Sequence, residues 1–169
     1  AYCIYPPSGS MYKLHALNAD GTGGKQLITA NIGLNHLDWS PDGGRLAAVG
    51  YYNFIYTWSI YIFNADGTGL TRLTTTSNVW DSEPAWSPDG SMIAFSRIYS
   101  QNNDKMELWL MNADGTNQHY IGLEGFSPEW SQDGTKFIYT SNKSGNNEIY
   151  TCNINGTGEL KLTNSTIQE

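Results

Sequence analysis

Short apolar runs, each next to a polar turn sequence, recur along the whole chain. One set of runs follows an Asp-Gly pair, and a second set precedes an Asn. Runs of this length bounded by Gly, Asn and Asp are typical of β-strands joined by tight turns. The clearest runs are residues 46–49, 92–95 and 137–139 in the first set, and 60–63, 108–111 and 149–152 in the second.

Two of the predicted strands are apolar at consecutive positions rather than at alternate ones. They are Trp-Ser-Ile-Tyr-Ile-Phe at 58–63 and Met-Glu-Leu-Trp-Leu-Met at 106–111. A strand in a sheet that is covered on one side only would alternate between apolar and polar residues. This pattern therefore predicts sheets buried on both faces, which favours a stack of sheets around an axis over a two-sheet sandwich.

Two phrases recur in a fixed order between these runs. The first is Asn-Ala-Asp-Gly-Thr-Gly at 18–23 and 64–69, with close variants at 112–117 and 153–158. The second is Trp-Ser-Pro-Asp-Gly at 39–43 and 86–90, with Trp-Ser-Gln-Asp-Gly at 130–134. Both carry the residues of tight turns, since Pro presets φ, Asp bonds its own backbone and Gly takes the left-handed conformation. We interpret both phrases as structural joints.

The repeat unit therefore has four short strands in about 45 residues, which is the period of a β-propeller blade. The predicted fold is all-β, a propeller of four-stranded antiparallel blades with about three and three-quarter blades in this chain. The predicted units are a partial blade at 1–29, blades at 36–74, 84–121 and 128–163, and a closing strand or tail at 164–169.

The repeat resembles that of the TolB-type β-propeller family, and the resemblance covers essentially the whole chain. The segment that matches best is Trp-Ser-Pro-Asp-Gly-Ser-Met-Ile-Ala-Phe-Ser at 86–96. The chain departs from the pattern at Gln132, at Asn155 and at His15. The resemblance implies a scaffold for protein–protein contact outside the cytoplasm, whether periplasmic, secreted or at the cell surface. It supports the repeat and not one particular role in the family.

Composition narrows the classes of function. Of 169 residues, 39% are apolar and 15% charged, as in a globular domain, and the net charge is −7. Nucleic acids and anionic membranes both require clustered Lys and Arg, and the nine in this chain are scattered, so we expect no nucleic-acid binding and no membrane insertion. The chain lacks a signal peptide and an initial Met, from which we expect a processed chain or part of a longer one.

Metal binding, cofactor binding and catalysis are not expected. Each Asn-Ala-Asp-Gly turn has at most one carboxylate, whereas Ca²⁺ takes six to eight oxygen ligands. There is no Gly-x-Ser-x-Gly, and His15, His36 and His119 fall at unrelated positions of the repeat. Cys3 and Cys152 fall at apolar strand positions in different units, which favours two buried free thiols over a disulfide.

The candidate binding face is predicted from the connections that differ between units. These are residues 51–57, 97–104 and 141–147, together with 77–83. In antiparallel blades they all emerge at one end, and binding is common on variable loops held by a rigid scaffold. Their aromatic rings could anchor a protein or stack on a glycan, or half of them pack between blades. The candidate residues are Tyr51, Tyr52, Phe54, Tyr56, Trp80, Asp81, Glu83, Arg97 and Tyr99.

Two further sets of residues are singled out. Glycosylation sequons stand at Asn142, Asn155 and Asn164, although about three are expected by chance in this composition. The chain begins at a second strand, so the first blade is expected to lack its inner strand and to offer an edge to another copy, head to tail. The residues assigned to this assembly edge are Ala1, Tyr2, Cys3, Ile4, Tyr5 and Ile167.

Three functions remain open. The first is a non-enzymatic scaffold that binds a protein or assembles with itself. The second is the propeller of a larger enzyme of the prolyl-oligopeptidase type, whose catalytic domain would lie outside this sequence. The third is a structural subunit of an extracellular ring or filament.

Overall fold

The structure, a computed structural model, describes residues 2–4, 13–16, 20–28, 32–52, 55–99 and 105–165. Within them the chain forms four antiparallel sheets and no helix. The first sheet contains β1 (Tyr2–Ile4), β2 (Lys13–Ala16) and β3 (Lys25–Ile28). The second contains β4 (Gly33–Trp39), β5 (Arg45–Tyr52), β6 (Ile55–Asn64) and β7 (Thr71–Arg72). The third contains β8 (Trp80–Trp86), β9 (Met92–Tyr99), β10 (Lys105–Asn112) and β11 (His119–Glu124). The fourth contains β12 (Phe126–Trp130), β13 (Lys136–Ser141), β14 (Glu148–Asn153) and β15 (Leu160–Lys161).

Consecutive strands pair with each other in every sheet. In the second to fourth sheets we call the four strands inner, second, third and outer in chain order. The Trp-Ser-Pro-Asp-Gly phrases and their Gln132 variant turn the chain between inner and second strands, and the Asn-Ala-Asp-Gly phrases turn it between third and outer strands. The all-β architecture of four-stranded antiparallel blades is as predicted.

The hydrophobic core consists of three layers, one between each pair of consecutive sheets. Alternate residues of β5 show how a strand supplies two layers. Leu46 and Ala48 pack toward the first sheet, whereas Ala47 and Val49 pack toward the third. We call the side of a sheet that meets the next sheet its forward face and the other side its backward face. Burial of both faces explains the consecutive apolar residues in the middle strands.

The Trp that recurs at the end of the inner strands belongs, in the third and fourth sheets, to the contact with the preceding sheet. Trp130 packs edge-on against Phe137, with ring centroids 4.4 Å apart, and its Nε1–H donates to the carbonyl oxygen of Ala85 at 3.0 Å. Trp86 is buried in the layer between the second and third sheets. Trp39, whose equivalents are these two residues, is 38% exposed.

Cys152 is a buried free thiol in the layer between the third and fourth sheets, as expected from its apolar position. Burial raises its pKa to about 11, so the thiol stays protonated and unreactive at neutral pH. The side chain of Cys3 lies outside the described residues. The described part of the chain also contains no helix that is long and apolar enough to cross a membrane.

Candidate functional site

The two ends of the blade stack differ in character. One end, which we call the turn face, carries the repeated tight turns at 40–44, 87–91 and 131–135 and at 64–69, 112–117 and 153–158. The opposite end, the loop face, carries the connections between second and third strands and those from each outer strand to the next inner strand. The turn face therefore has nearly the same sequence in every blade, whereas the loop face varies.

The polar side chains of the Asn-Ala-Asp-Gly turns form hydrogen bonds within their own turn. In the second sheet the backbone N–H and the hydroxyl of Thr68 donate to Oδ1 of Asp66 at 2.9 and 2.7 Å, and Asn64 donates to the same hydroxyl. These hydrogen bonds lower the pKa of Asp66, with the Thr68 hydroxyl as the largest cause. Asn155 makes the same two contacts with Thr157, so no charge is needed there. The carboxylates are turn-closing groups.

In the second to fourth sheets the glycine of this turn also forms a joint with the preceding sheet. A methyl group on Gly67 would lie 1.8 Å from the carbonyl oxygen of Leu27, in the preceding sheet. A methyl group on Gly156 would lie 2.0 Å from the carbonyl oxygen of Ile121 in the same way. In the second to fourth sheets the hexapeptide thus places a residue without a side chain against the outer edge of the preceding blade.

The carboxylates of these turns do not cluster with other potential metal ligands among the described residues. In the parts of the chain that the structure describes, no three His, Cys, Asp or Glu side chains lie close enough together to hold a metal ion. Each turn carboxylate is instead occupied by hydroxyl and amide donors of its own turn.

An aromatic pair, of which Trp58 is exposed and Trp80 half-buried, lies on the loop face at the boundary between the second and third sheets. The rings of Trp58 and Trp80 are 5.7 Å apart and tilted by 30°. Trp58 is 37% exposed although it stands near the start of a core strand. A large aromatic surface left open to solvent next to a rigid sheet is the usual form of an anchor for a protein partner.

The other candidate residues are distributed over different environments. Asp81 and Arg97 bury each other in an ion pair, with Nε of Arg97 2.6 Å from Oδ1 of Asp81. Tyr51 is half-buried with its ring over Gly33, and Tyr99 is half-buried with its pKa raised by partial desolvation and by the charge of Glu107. Phe54 and the side chains of Tyr52 and Tyr56 lie outside the described residues.

The expectation that these residues belong to connecting loops is wrong for most of them. Trp80, Asp81 and Glu83 lie in the inner strand β8, and Arg97 and Tyr99 lie in β9. Tyr51 and Tyr52 belong to β5, and Tyr56 belongs to β6. The strands extend beyond the apolar runs, because residues with polar and aromatic side chains also pair across neighbouring strands. Asp81, for example, pairs with Arg97.

A pocket of about 230 Å³ lies where the inner strands of the second, third and fourth sheets converge. Each inner strand has a bulge there, and one residue of each bulge has positive φ: His36 at 44°, Glu83 at 53° and Ser127 at 52°. Non-glycine residues adopt such angles rarely, and bulges redirect side chains. Analysis of the sequence missed this repeated feature: the predicted blades begin at Pro84 and Pro128, whereas these residues lie within β8 and β12, where a Pro interrupts the ladder.

Carboxylates of this pocket connect neighbouring sheets. Oδ2 of Asp38 accepts the backbone N–H of Trp86 at 2.6 Å. Oε2 of Glu83 accepts the hydroxyl of Ser96 and the backbone N–H of Ser127, both at 2.8 Å. Desolvation raises the pKa of Asp38 and, together with the charge of Asp38, that of Glu129. Glu83 is thus the one candidate binding residue that lines the pocket, and it also holds the fourth sheet in place.

The other sequence-selected positions are located as follows. Asn142, Asn155 and Asn164 are exposed, with the amide oxygen of Asn155 engaged by Thr157. Tyr2, Cys3 and Ile4 form β1, which pairs with β2. Ala1, Tyr5 and Ile167 lie outside the described residues.

Glu148 fixes the segment that follows the last strand. Its carboxylate accepts the hydroxyl of Thr163, the backbone N–H of Ser165 at 2.7 Å, and pairs with Lys161 at 3.3 Å. The Thr163 hydroxyl is the largest cause of the lowering of the Glu148 pKa, from 4.5 to about 2. The carboxylate therefore stabilises the folded chain above pH 4.5, and this stabilisation is lost as the pH falls toward 2.

We expect Glu148→Gln to lower the thermal midpoint at neutral pH and to lose this part of the acid dependence. The gap between parent and variant should shrink as the pH falls from 4.5 toward 2, in calorimetric scans at each pH. Thr163→Val, which removes the main donor, should show a smaller effect of the same sign. A gap that stays constant over this pH range would contradict the role given to Glu148.

The stacked antiparallel sheets, the Trp and Gly joints between them and the converging inner strands define a β-propeller. The chain belongs to the TolB beta propeller domain family, whose model matches residues 1–169. It is similar to the Tol-Pal system protein TolB of Zymomonas mobilis, with 39% identity over 41% of this chain and 15% of the relative. An uncharacterized peptidase of Bacillus subtilis, YuxL, is 29% identical over 67% of this chain and 18% of its own.

The solved structure of a putative TolB from Agrobacterium tumefaciens has the same fold. The TM-score is 0.77 with 20% identity, over 96% of this chain and 61% of that one. The chain spans less than a fifth of the length of the two curated relatives.

Proposed function

We propose that this chain is a non-enzymatic propeller scaffold that binds a protein partner through its loop face, outside the cytoplasm. The observation that carries the proposal is the ring pair of exposed Trp58 and half-buried Trp80, at the loop-face end of the boundary between two sheets. Trp and Tyr side chains are enriched among residues that dominate protein–protein binding energy.

The contrast between the two faces supports this assignment. On the turn face, carboxylates such as Asp66 and Asp114 are occupied by hydrogen bonds within their own turns. The loop face differs in sequence from blade to blade, while the strands of the second and third sheets that carry it are fixed by packing on both sides. A variable surface on a rigid support is suited to recognition.

The similarity to TolB suggests the class of partner. The Zymomonas mobilis relative is named as a protein of the Tol-Pal system. We therefore propose a protein partner of the Pal type for the loop face. A glycan that stacks on the same two rings is the alternative occupant.

Titration of the purified chain with the Pal protein of Zymomonas mobilis tests the proposal. We expect Trp58→Ala and Trp80→Ala each to weaken binding by about tenfold or more, because each removes a large aromatic contact. Isothermal titration calorimetry measures the affinity, and circular dichroism verifies that each variant is folded.

The matched controls lie on the turn face. Asp66→Asn and Asp114→Asn should leave the affinity unchanged, since Asn155 already performs the same turn-closing role. Equal loss in both pairs of variants would contradict the assignment of the binding face. Absence of any binding to Pal would overturn the proposed partner.

The second candidate is the propeller of a larger hydrolase, supported by the similarity to the peptidase YuxL. In that case the pocket between inner strands would lie on a path to a catalytic domain. The full coding sequence separates the two candidates: a Gly-x-Ser-x-Gly segment downstream of these blades would favour the hydrolase.

A further inference from the structure

A second pocket, of about 290 Å³, lies on the turn face between the third and fourth sheets. It is formed by the Trp-Ser-Pro-Asp-Gly turn of the third sheet and the Trp-Ser-Gln-Asp-Gly turn of the fourth. Its apolar wall includes Met92 and Trp130, and its polar residues include Asp89 and Asp133. We call it the turn-face pocket.

The preceding boundary, between the second and third sheets, has the same backbone geometry. Arg45 and Met92 begin β5 and β9, and the backbone N–H of each donates to a Ser hydroxyl of its own turn at 2.9 Å. In both boundaries a methyl group on the Gly of the later turn would lie close to the Pro of the earlier turn, at 3.4 and 3.7 Å. Arg45 is therefore the equivalent of Met92, and Trp86 is the equivalent of Trp130.

The preceding boundary holds a cation against its Trp. The guanidinium of Arg45 lies over the ring of Trp86, 4.7 Å from the ring centroid, and Trp86 is only 5% exposed. The charge of Arg45 also contributes to the lowered pKa of Asp42, after the hydrogen bonds from Ser40 and Gly44. An aromatic face beside a carboxylate is a favourable environment for a guanidinium group.

The turn-face pocket has the same partners but a neutral side chain in place of the arginine. Met92 replaces the cation, and Trp130 is half-buried whereas its equivalent is buried. Hydrogen bonds within their own turns, chiefly from Ser hydroxyls, lower the pKa of Asp89 and of Asp133 to about 2, so both are ionised at neutral pH. Among the described residues, neither carboxylate forms an ion pair with Lys or Arg.

We propose that the turn-face pocket binds a guanidinium group from outside this chain, over the ring of Trp130 and with Asp89 and Asp133 as its counter-charges. The bound group completes the contact between the third and fourth sheets, as Arg45 completes the preceding one. A free guanidinium compound and an arginine side chain both supply this chemistry. The pocket is on the opposite end of the blades from Trp58, so this binding is separate from that of the protein partner.

Titration of the full chain with N-acetyl-arginine amide, followed through the indole N–H signals in NMR spectra, tests the proposal. We expect the Trp130 signal to shift, with an affinity about tenfold or more above that for the citrulline analogue, which has nearly the same shape and no charge. Methylguanidine distinguishes the sources: equal affinity assigns the site to a free guanidinium compound, and weaker affinity assigns it to an arginine side chain. An unshifted Trp130 signal, or equal binding of the arginine and citrulline compounds, would overturn the proposal.

Exchange of the two equivalent residues provides matched variants. Met92→Arg should place an internal guanidinium in the pocket and abolish binding, whereas Thr75→Arg, which adds the same charge at an exposed site on the loop face, should not. Arg45→Met should open a second site of the same kind at Trp86 and double the number of bound ligands. The dispersion of the NMR spectrum verifies that each variant is folded. Undiminished binding in Met92→Arg, or a single bound ligand in Arg45→Met, would contradict the assigned site.

Discussion

Gly67→Ala is expected to destabilise the chain by about 3 kcal/mol or more, whereas Gly21→Ala should cost only about 1 kcal/mol. Both residues have positive φ, 89° and 81°, so both substitutions carry the same backbone strain. Only at Gly67 does the new methyl group meet a backbone oxygen, that of Leu27 at 1.8 Å. Since that oxygen belongs to the preceding sheet, the whole interface must shift.

Alanine substitutions at the other turn glycines should destabilise the chain to different degrees. Gly156→Ala should match Gly67→Ala, because its methyl group would lie 2.0 Å from the carbonyl oxygen of Ile121. Gly115→Ala should fall between the extremes, since its nearest neighbours are side-chain atoms of Leu73 at 3.1 Å. Urea unfolding of the four variants measures the order. Equal destabilisation at Gly21 and Gly67 would show that the turns do not join the sheets.

Arg97→Met is expected to cost about 3–5 kcal/mol, because it leaves the carboxylate of Asp81 buried without its partner. Asp81 and Arg97 are 1% and 3% exposed. The guanidinium also lies over the ring of Trp109, 4.1 Å from its centroid, and donates to the side-chain oxygen of Gln118 at 3.3 Å. Gln118 in turn donates to the carbonyl oxygen of Leu73, so the ion pair is connected to the neighbouring sheet.

Replacing both charged residues distinguishes the effect of the ion pair on stability from the effect of side-chain packing. The double variant Asp81→Leu, Arg97→Met should be much more stable than the sum of the single changes indicates, because no unpaired charge remains buried. Lys105→Met, which breaks partly exposed ion pairs with Glu107 and Glu124, should cost less than either single change. Thermal midpoints measure all four variants. Additive losses would contradict direct coupling between Asp81 and Arg97.

The fold could be predicted from the sequence because its determinants are local and repeated. The turn phrases fix where strands end, and consecutive apolar residues such as Ile60, Tyr61 and Ile62 indicate burial on both faces. The place of the hexapeptide in the fold was only partly predictable. Its turn chemistry is visible in the sequence, but the contact of Gly67 with Leu27 depends on how neighbouring sheets stack.

The candidate site was less predictable than the fold. Trp80 was selected from the sequence, but its partner Trp58 was assigned to the core because the surrounding strand is apolar. Arg97 and Asp81 are charged residues in variable segments, as is common in binding loops. Only the strand pairing and the ion pair show that they neutralise each other in the interior. The bulges at His36, Glu83 and Ser127 share no residue type, so nothing but the backbone reveals that they are equivalent.

The central claim is a division of labour in which the turn face joins the blades and the loop face binds. Hydrogen exchange of the chain with and without saturating Pal protein, followed by mass spectrometry, tests it most directly. We expect slower exchange on binding in peptides covering 55–60 and 77–82, and unchanged exchange in those covering 64–69 and 112–117. Protection confined to the repeated turns, with 55–60 and 77–82 unaffected, would contradict the account.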